Sequence, residues 1–304
     1  MSAVQTIVPD SEAHWLELRA QDITSTEISA LFGCSPYMTE FELFHRKRQN
    51  LIVDFEENER SKWGLRLQDS IAHGIAEDQG WEIRRMNEYI RHTSKKMGAS
   101  FDFAIGSIGH LEIKNVDSLR FRDDWIVDGN DIEAPPHIEL QVQSQLFLSK
   151  RSVNYIGALV GGNRIILIKR EPDEKVIRTI ETKVERFWNN VADNKEPKPD
   201  FSRDADVISR LYRLAEPGKL FDARGNEEIN SLMTIYREAA ALEKKAATTK
   251  DEVKARLMVS MGDCEKAVGD GFSISAGMIA AARVEYDRKE YRMFRINFKK
   301  EKAQ

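Results

Sequence analysis

The sequence predicts an α/β sandwich, a central mixed sheet flanked by helices, followed by a C-terminal extension of one long helix and a β-hairpin. Three observations carry that expectation. Apolar residues switch between helical and strand spacing in the order helix, three strands, helix, two strands, helix. No glycine-rich loop joins a strand to a helix, which argues against a doubly wound nucleotide-binding sheet. A proline-bearing segment, EPKPDFS with Pro197 and Pro199, then separates this pattern from an Ala/Glu/Lys-rich stretch, so the boundary is expected near residue 200, between a core domain 1–200 and an accessory region 201–304.

From Ser11 to Phe32 the chain reads as two short helices. Trp15 and Leu18 share one helical face, and Thr24, Ser25 and Thr26 offer caps ahead of Ile28 and Leu31. Gly33 to Pro36 end the pattern. Between Lys62 and Gly80, Leu65, Leu67, Ile71 and Ile75 form a helical stripe with Gly80 as C-cap. The runs WEIRRMNEYIRH, GASFDFAIG and HLEIKNV then change to short alternating or β-branched segments, read as three strands of one sheet. After a loop from Asp123 to Pro136, Ile138, Val142, Leu146 and Phe147 return to helical spacing. Two strands follow around Gly161-Gly162-Asn163, and VIRTIETKVERFWNNVADN reads as a strand end plus a helix. In the accessory region Ile229, Leu232, Met233, Tyr236 and Ala240 mark one face of a long helix. AVGDGFSIS suggests a hairpin, and Phe294, Ile296 and Phe298 alternate as in a half-buried strand.

Composition narrows the function classes. The 304 residues include only two cysteines, Cys34 and Cys264, without metal-ligand spacing, which leaves no framework for disulfides, a zinc cluster or an iron–sulfur centre. No apolar run is long enough for a bilayer and no signal-peptide pattern opens the chain, so a soluble, cytoplasmic protein with no membrane partner is expected. A net charge of −4 is not that of a protein that coats nucleic acid, although a locally basic groove would still admit DNA.

The chemistry concentrates in SFDFAIGSIGHLEIKN. Asp102 falls on one expected strand and Glu112 with Lys114 on the next; alternation puts the last two on one face and Ile113 on the other. A hairpin would bring Asp102 beside them. Two converging carboxylates are costly unless a cation neutralises them, and hard oxygen ligands suit Mg2+ or Mn2+. A metal there would polarise a phosphate and activate water, with Lys114 orienting that water and offsetting transition-state charge. On the spacing alone a solvated hairpin carrying a surface salt bridge is the favoured reading; the apolar run Leu111-Glu112-Ile113-Lys114 and the Phe101 and Phe103 that flank Asp102 turn the balance toward a buried site.

Taken with W-x-x-x-R at Trp15–Arg19, I-T-S-T-E after it, W-G at Trp63-Gly64, S-x-D at Ser100–Asp102, E-I-K and Q-V-Q at Gln141–Gln143, the chain from residue 11 to 190 resembles the lambda-exonuclease/YqaJ family of viral recombination nucleases, within the PD-(D/E)xK group. The resemblance implies a restriction-endonuclease-like core, metal ligation by Asp102 and Glu112 with the Ile113 carbonyl and Gln141, and a catalytic Lys114. It implies a DNA 5′-phosphate pocket from Arg19, Thr26, Ser100 and Arg120, with Trp15 nearby; guanidiniums and hydroxyls suit a terminal phosphate. Each has a plainer alternative: Arg19 could pair with Glu17 or Asp22, Trp15 could be core, Thr26 and Ser100 caps or turns, and Gln141 and Gln143 a solvated helix face. His73 reads as structural. One departure stands out. Where the family carries a glutamate shortly after W-G, this chain has Gln68, with Asp69 beside it and Glu77 further on, so the number of metal ions is one or two.

The expected activity is Mg2+-dependent 5′→3′ exonucleolysis of double-stranded DNA, leaving 3′ overhangs for recombination. The resemblance further implies a homotrimeric ring and a single-strand annealing protein as partner. A PD-(D/E)xK endonuclease of the restriction or repair kind, or a non-catalytic DNA-binding protein on the same fold, are the alternatives. Arg292, Arg295, Lys299 and Lys300 could touch DNA backbone.

Overall fold

The computed structural model describes residues 3–49, 59–129 and 131–283. In chain order its elements are β1 (Val4–Ile7), α1 (Glu12–Gln21), β2 (Ile23–Thr24), α2 (Ile28–Leu31), α3 (Glu40–Arg48), α4 (Glu59–Gln79), β3 (Ile83–Arg85), β4 (Tyr89–His92), β5 (Met97–Ser100), β6 (Phe103–Ile105) and β7 (Gly109–Val116). They continue with α5 (Ser118–Asp124), β8 (Ile126–Asp128), β9 (Asp131–Glu133), α6 (Pro136–Ser149), β10 (Val153–Val160), β11 (Arg164–Arg170), α7 (Glu174–Ala192), α8 (Ala205–Leu211), α9 (Glu227–Met261), β12 (Lys266–Gly269) and β13 (Phe272–Ser275).

A five-stranded mixed sheet, ordered β11-β10-β7-β6-β3, is the frame. β7 lies at its middle, parallel to β10 and antiparallel to β6. Strand alternation sorts its side chains. Leu111 and Ile113 join Phe103 and Ile105 against Ile71, Ala72 and Ile75 of α4, while Ile156, Ala158, Val160, Ile166 and Ile168 pack on Ile138, Val142 and Leu146 of α6. Close approach of α4 to the sheet uses Gly157, where a Cβ would meet Ile75 Cδ1 at 2.5 Å. The turn from β10 to β11 has Gly161 and Gly162 at φ +59° and +80°, a region costly for other residues.

A second, four-stranded sheet, β1-β4-β5-β2, lies against the other side of α6, with α2, α3 and α7 completing that core around Phe44, Phe147, Leu148, Ile180 and Phe187. α6 is therefore buried nearly all round, which explains its run of apolar residues off the expected stripe.

Several expectations change. The three strands of one sheet are in fact five segments shared between two sheets, because WEIRRMNEYIRH and GASFDFAIG each break in the middle; Met86 N donates to Asp102 O at 3.0 Å where the two runs cross over. Val176 and Ile177 are not a strand end. Asp173 accepts from Lys175 N and Val176 N and starts α7 there. Leu65 is exposed outside the α4 stripe, and Phe147 faces the second core rather than the first. The loop 123–136 contains a small hairpin of β8 and β9, and α3 and α5 carried too little periodicity to be read.

The chain divides into compact units at Leu211/Tyr212, not near residue 200. The proline-bearing segment leads into a tether: Thr39 Oγ1 donates to Asp204 Oδ1 at 2.5 Å, Arg203 donates to Ser35 O, and Val207 of α8 is buried. The second unit contains α9, capped by Asn226, and the hairpin β12–β13. The face of α9 marked by Leu232 and Tyr236 is exposed, and no described residue of that helix is buried. Phe294, Ile296, Phe298 and the basic residues around them lie outside the described residues.

Candidate active site

Glu112 and Lys114 extend from the α6 side of β7, and Asp102 sits just before β6, across from them. The register Phe103↔Leu111 sets this, and Ile113 N donates to Asp102 Oδ2 at 2.8 Å. Lys114 Nζ donates to Glu112 Oε1 at 2.7 Å and to Gln141 Oε1 at 3.1 Å. Gln141 Nε2 in turn donates to Glu112 Oε1 at 2.6 Å. A cavity of about 240 Å³ opens over these groups and is also lined by Arg19, Ser25, Thr26, Gln68, Ser100 and Ile113.

Electrostatics follow from this crowding. Burial, then the neighbouring Glu112, push the Asp102 carboxyl well above the usual carboxylate range despite Lys114. Burial draws the Lys114 ammonium downward, but the pull of Glu112 and Asp102 outweighs it and holds the group above the ordinary lysine value. Two carboxylates facing one ammonium leave an excess of negative charge in a partly dry site. That donor set fits a hard divalent cation, which Asp102 and Glu112 would hold. Among the described residues no third carboxylate, histidine or cysteine joins them.

Of the predicted phosphate-pocket residues, Arg19, Thr26 and Ser100 lie on the wall beside this cluster. Trp15 Nε1 donates to Ser100 Oγ at 2.9 Å, and the Arg19 guanidinium lies over the Trp15 ring at 4.5 Å. The corner between α1 and α2 is fixed by buried charge: Lys47 Nζ pairs with Glu27 at 2.8 Å and donates to Arg19 O, while Glu27 accepts from Thr24 N. The Thr26 hydroxyl is 3.1 Å from that of Thr24. Arg120 is not in this cavity. It lines an adjoining hollow of about 450 Å³, with Tyr37, Arg60 and His137, which shares Thr26, Lys114 and Gln141 with the first. Arg120 lies 3.7 Å from Asp124 and is largely exposed.

Gln68 reaches the cavity wall, but Arg85 takes its amide oxygen at 2.9 Å and pairs with Asp69. Asp69 and Glu77 are not among the residues that line the cavity. His73 hydrogen-bonds Asp69 O one turn back on α4, a structural contact. Gln143 faces away: it accepts from Asp173 N and donates to Glu171 O, pinning α6 to the start of α7. Positions two apart on a helix point in different directions, and the residue that shares the face of Gln141 is Gln145, four further on. Sequence reading overlooked it. Its Nε2 donates to Glu112 Oε2 at 2.7 Å.

Residues 14–152 match the YqaJ-like viral recombinase domain. The uncharacterized protein YqaJ of Bacillus subtilis (strain 168) is 26% identical over 252 residues, 80% of this chain and 77% of that protein. Among solved structures, an alkaline exonuclease, LHK-Exo, from Laribacter hongkongensis aligns over 64% of this chain and 99% of its own at 18% identity and a TM-score of 0.48; its complex with dAMP aligns equally, at 17% identity. The segment that is similar to a YqaJ-like viral recombinase domain, residues 14–152, therefore spans Asp102, the Glu112-Ile113-Lys114 strand set against it, and Gln141 and Gln145 of α6.

Proposed function

We propose that this protein is a divalent-metal-dependent exonuclease that degrades one strand of duplex DNA from a 5′ end, leaving 3′ overhangs for recombination. The observation that supports it best is the meeting of Asp102, Glu112 and Lys114 in one cavity whose wall carries Arg19 and the hydroxyl residues Ser25, Thr26 and Ser100. A bound Mg2+ or Mn2+ would supply Lewis acidity and a water of lowered pKa. The side chains account for the rest. Asp102 and Glu112 hold the site's negative charge, Lys114 donates to the attacking water and then to the charge that builds on the phosphate, and Gln141 braces both Lys114 and Glu112. Arg19 offers a permanently charged fork to a terminal phosphate, next to neutral donors. Such a pocket beside the cutting site would set the polarity of degradation.

The resemblance to viral recombination nucleases is what supports a homotrimeric ring around the DNA and an annealing protein as partner; sedimentation and co-purification test those. No helix among the described residues is long and apolar enough to cross a membrane. The decisive assay uses end-labelled duplex with Mg2+ and compares 5′-phosphate with 5′-hydroxyl ends. Cleavage lost with EDTA and with Lys114→Ala, and a 5′-phosphate preference lost with Arg19→Ala, are expected. Efficient cutting of covalently closed circles would replace this reading with an endonuclease, and no cleavage under any condition would leave a DNA-binding protein.

A further inference from the structure

Behind Glu112 lies a series of side-chain amides that the reaction described above does not use. An ionised carboxylate only accepts hydrogen bonds, at about four lone-pair positions. Glu112 Oε1 has two donors, Lys114 Nζ and Gln141 Nε2, whereas Oε2 has one, Gln145 Nε2 at 2.7 Å. That acceptor fixes the sense of the Gln145 amide, with its NH2 toward Glu112 and its oxygen turned away. The oxygen accepts from Asn154 Nδ2 at 2.8 Å, and the second Gln145 proton goes to Ser100 O at 3.1 Å. Gln145 and Asn154 are fully buried. Asn154 sits in register with His110 on the neighbouring strand, and its Oδ1 ends the series without a partner among the described residues.

We infer that Gln145, held in turn by Asn154, is a positioning residue that sets the orientation of the Glu112 carboxylate for metal binding, and that the spare lone pair it leaves on Oε2 is the one offered to the cation. This rests on the metal-site reading of Proposed function. Two features separate the role from ordinary helix packing. Gln145 gives one proton to the Glu112 carboxylate and the other to Ser100 O while its oxygen accepts from Asn154, so the amide has one satisfied sense and holds its NH2 against Oε2. And Gln143, on the same helix with two hydrogen bonds of its own, already secures α6 to the start of α7. Outer groups that orient a metal ligand typically contribute about 10–100-fold to metal affinity.

The test is a Mn2+ titration of the full chain, read by electron paramagnetic resonance, with folding checked by circular dichroism and melting. Glu112→Gln, Gln145→Met and Asn154→Leu are compared with Gln143→Met. Gln145→Met is expected to weaken Mn2+ binding about 10–100-fold and Asn154→Leu by about fivefold or more, while Gln143→Met melts earlier with affinity unchanged. If Glu112→Gln weakens binding but folded Gln145→Met and Asn154→Leu stay within about threefold of the parent (about 0.65 kcal/mol), the positioning role is wrong and the metal site stands. If Glu112→Gln leaves Mn2+ binding intact, both fall. Should Gln145→Met fail to fold, Asn154→Leu, one bond further from the carboxylate, decides.

Discussion

Asp102→Asn should stabilise the metal-free protein, and more so as pH rises. The Asp102 carboxyl is raised from 3.8 to about 7, first by burial and then by Glu112. Because the folded state holds that proton to higher pH than the unfolded state, stability is lost as pH climbs from the unfolded value toward 7, and the full penalty is present above it. At about 1.4 kcal/mol per tenfold, the span caps the penalty at about 4 kcal/mol. Asp102 borders an open cavity and shares its charge burden with Glu112, so about half, roughly 2 kcal/mol, is a sounder figure. For a unit of this size each kcal/mol moves Tm by about 2–4 °C. In EDTA, scanning calorimetry at pH 8 should then find Asp102→Asn about 4–8 °C above the parent, and at pH 5.5 about half that gap. Saturating Mn2+ should reverse the order, because the parent gains a ligand that binds only the folded state while the variant has lost a carboxylate. A gap that is the same at both pH values, or equal stabilisation of both proteins by Mn2+, would refute the reasoning.

Gln68→Glu should tighten Mn2+ binding about tenfold, since a third negative group joins the cavity wall; unchanged affinity would mean that Arg85, 2.9 Å from the present amide, keeps it neutralised. Gly157→Ala should destabilise by about 1–3 kcal/mol, because its methyl would stand 2.5 Å from Ile75 Cδ1 and 3.3 Å from Ile113 Cδ1. A melt unaltered from the parent would show that the end of Ile75 yields freely. Tyr37, exposed and edge-on to His137 at 5.9 Å in the hollow next to Lys114, offers a surface for an unpaired base. Tyr37→Ala should raise KM about tenfold with kcat little changed, and an effect confined to kcat would contradict that placement.

Much of the site was legible because it depends on strand alternation. A period of two puts Glu112 and Lys114 on one side of β7 and Ile113 on the other with no knowledge of the partner strands, and ordered short motifs singled out Arg19, Thr26 and Ser100. What escaped depends on tertiary neighbours. Gln141 and Gln143 look equivalent in sequence, yet α6 is wrapped by two cores, so one amide enters the site and the other leaves it. Gln145 stands at helical spacing from Gln141 and could have been found by that rule. The division of the early strands between two sheets was not legible, since each run is continuous in β-propensity and only the crossing at Met86 and Asp102 separates them. The end of the first unit was misplaced because prolines mark a change of direction, while Asp204 and Val207 beyond them still belong to the packed core.

The residues proposed to cut DNA sit on or beside β7, the middle strand of five, with ladders on both flanks and α4 and α6 on its two faces. Such a strand opens only when the whole unit opens, so the machinery has no slack with which to follow its substrate. Like an anvil, it waits in one place. Regular stepping along a polymer would therefore be metered by the advance of the polymer itself, one backbone repeat at a time.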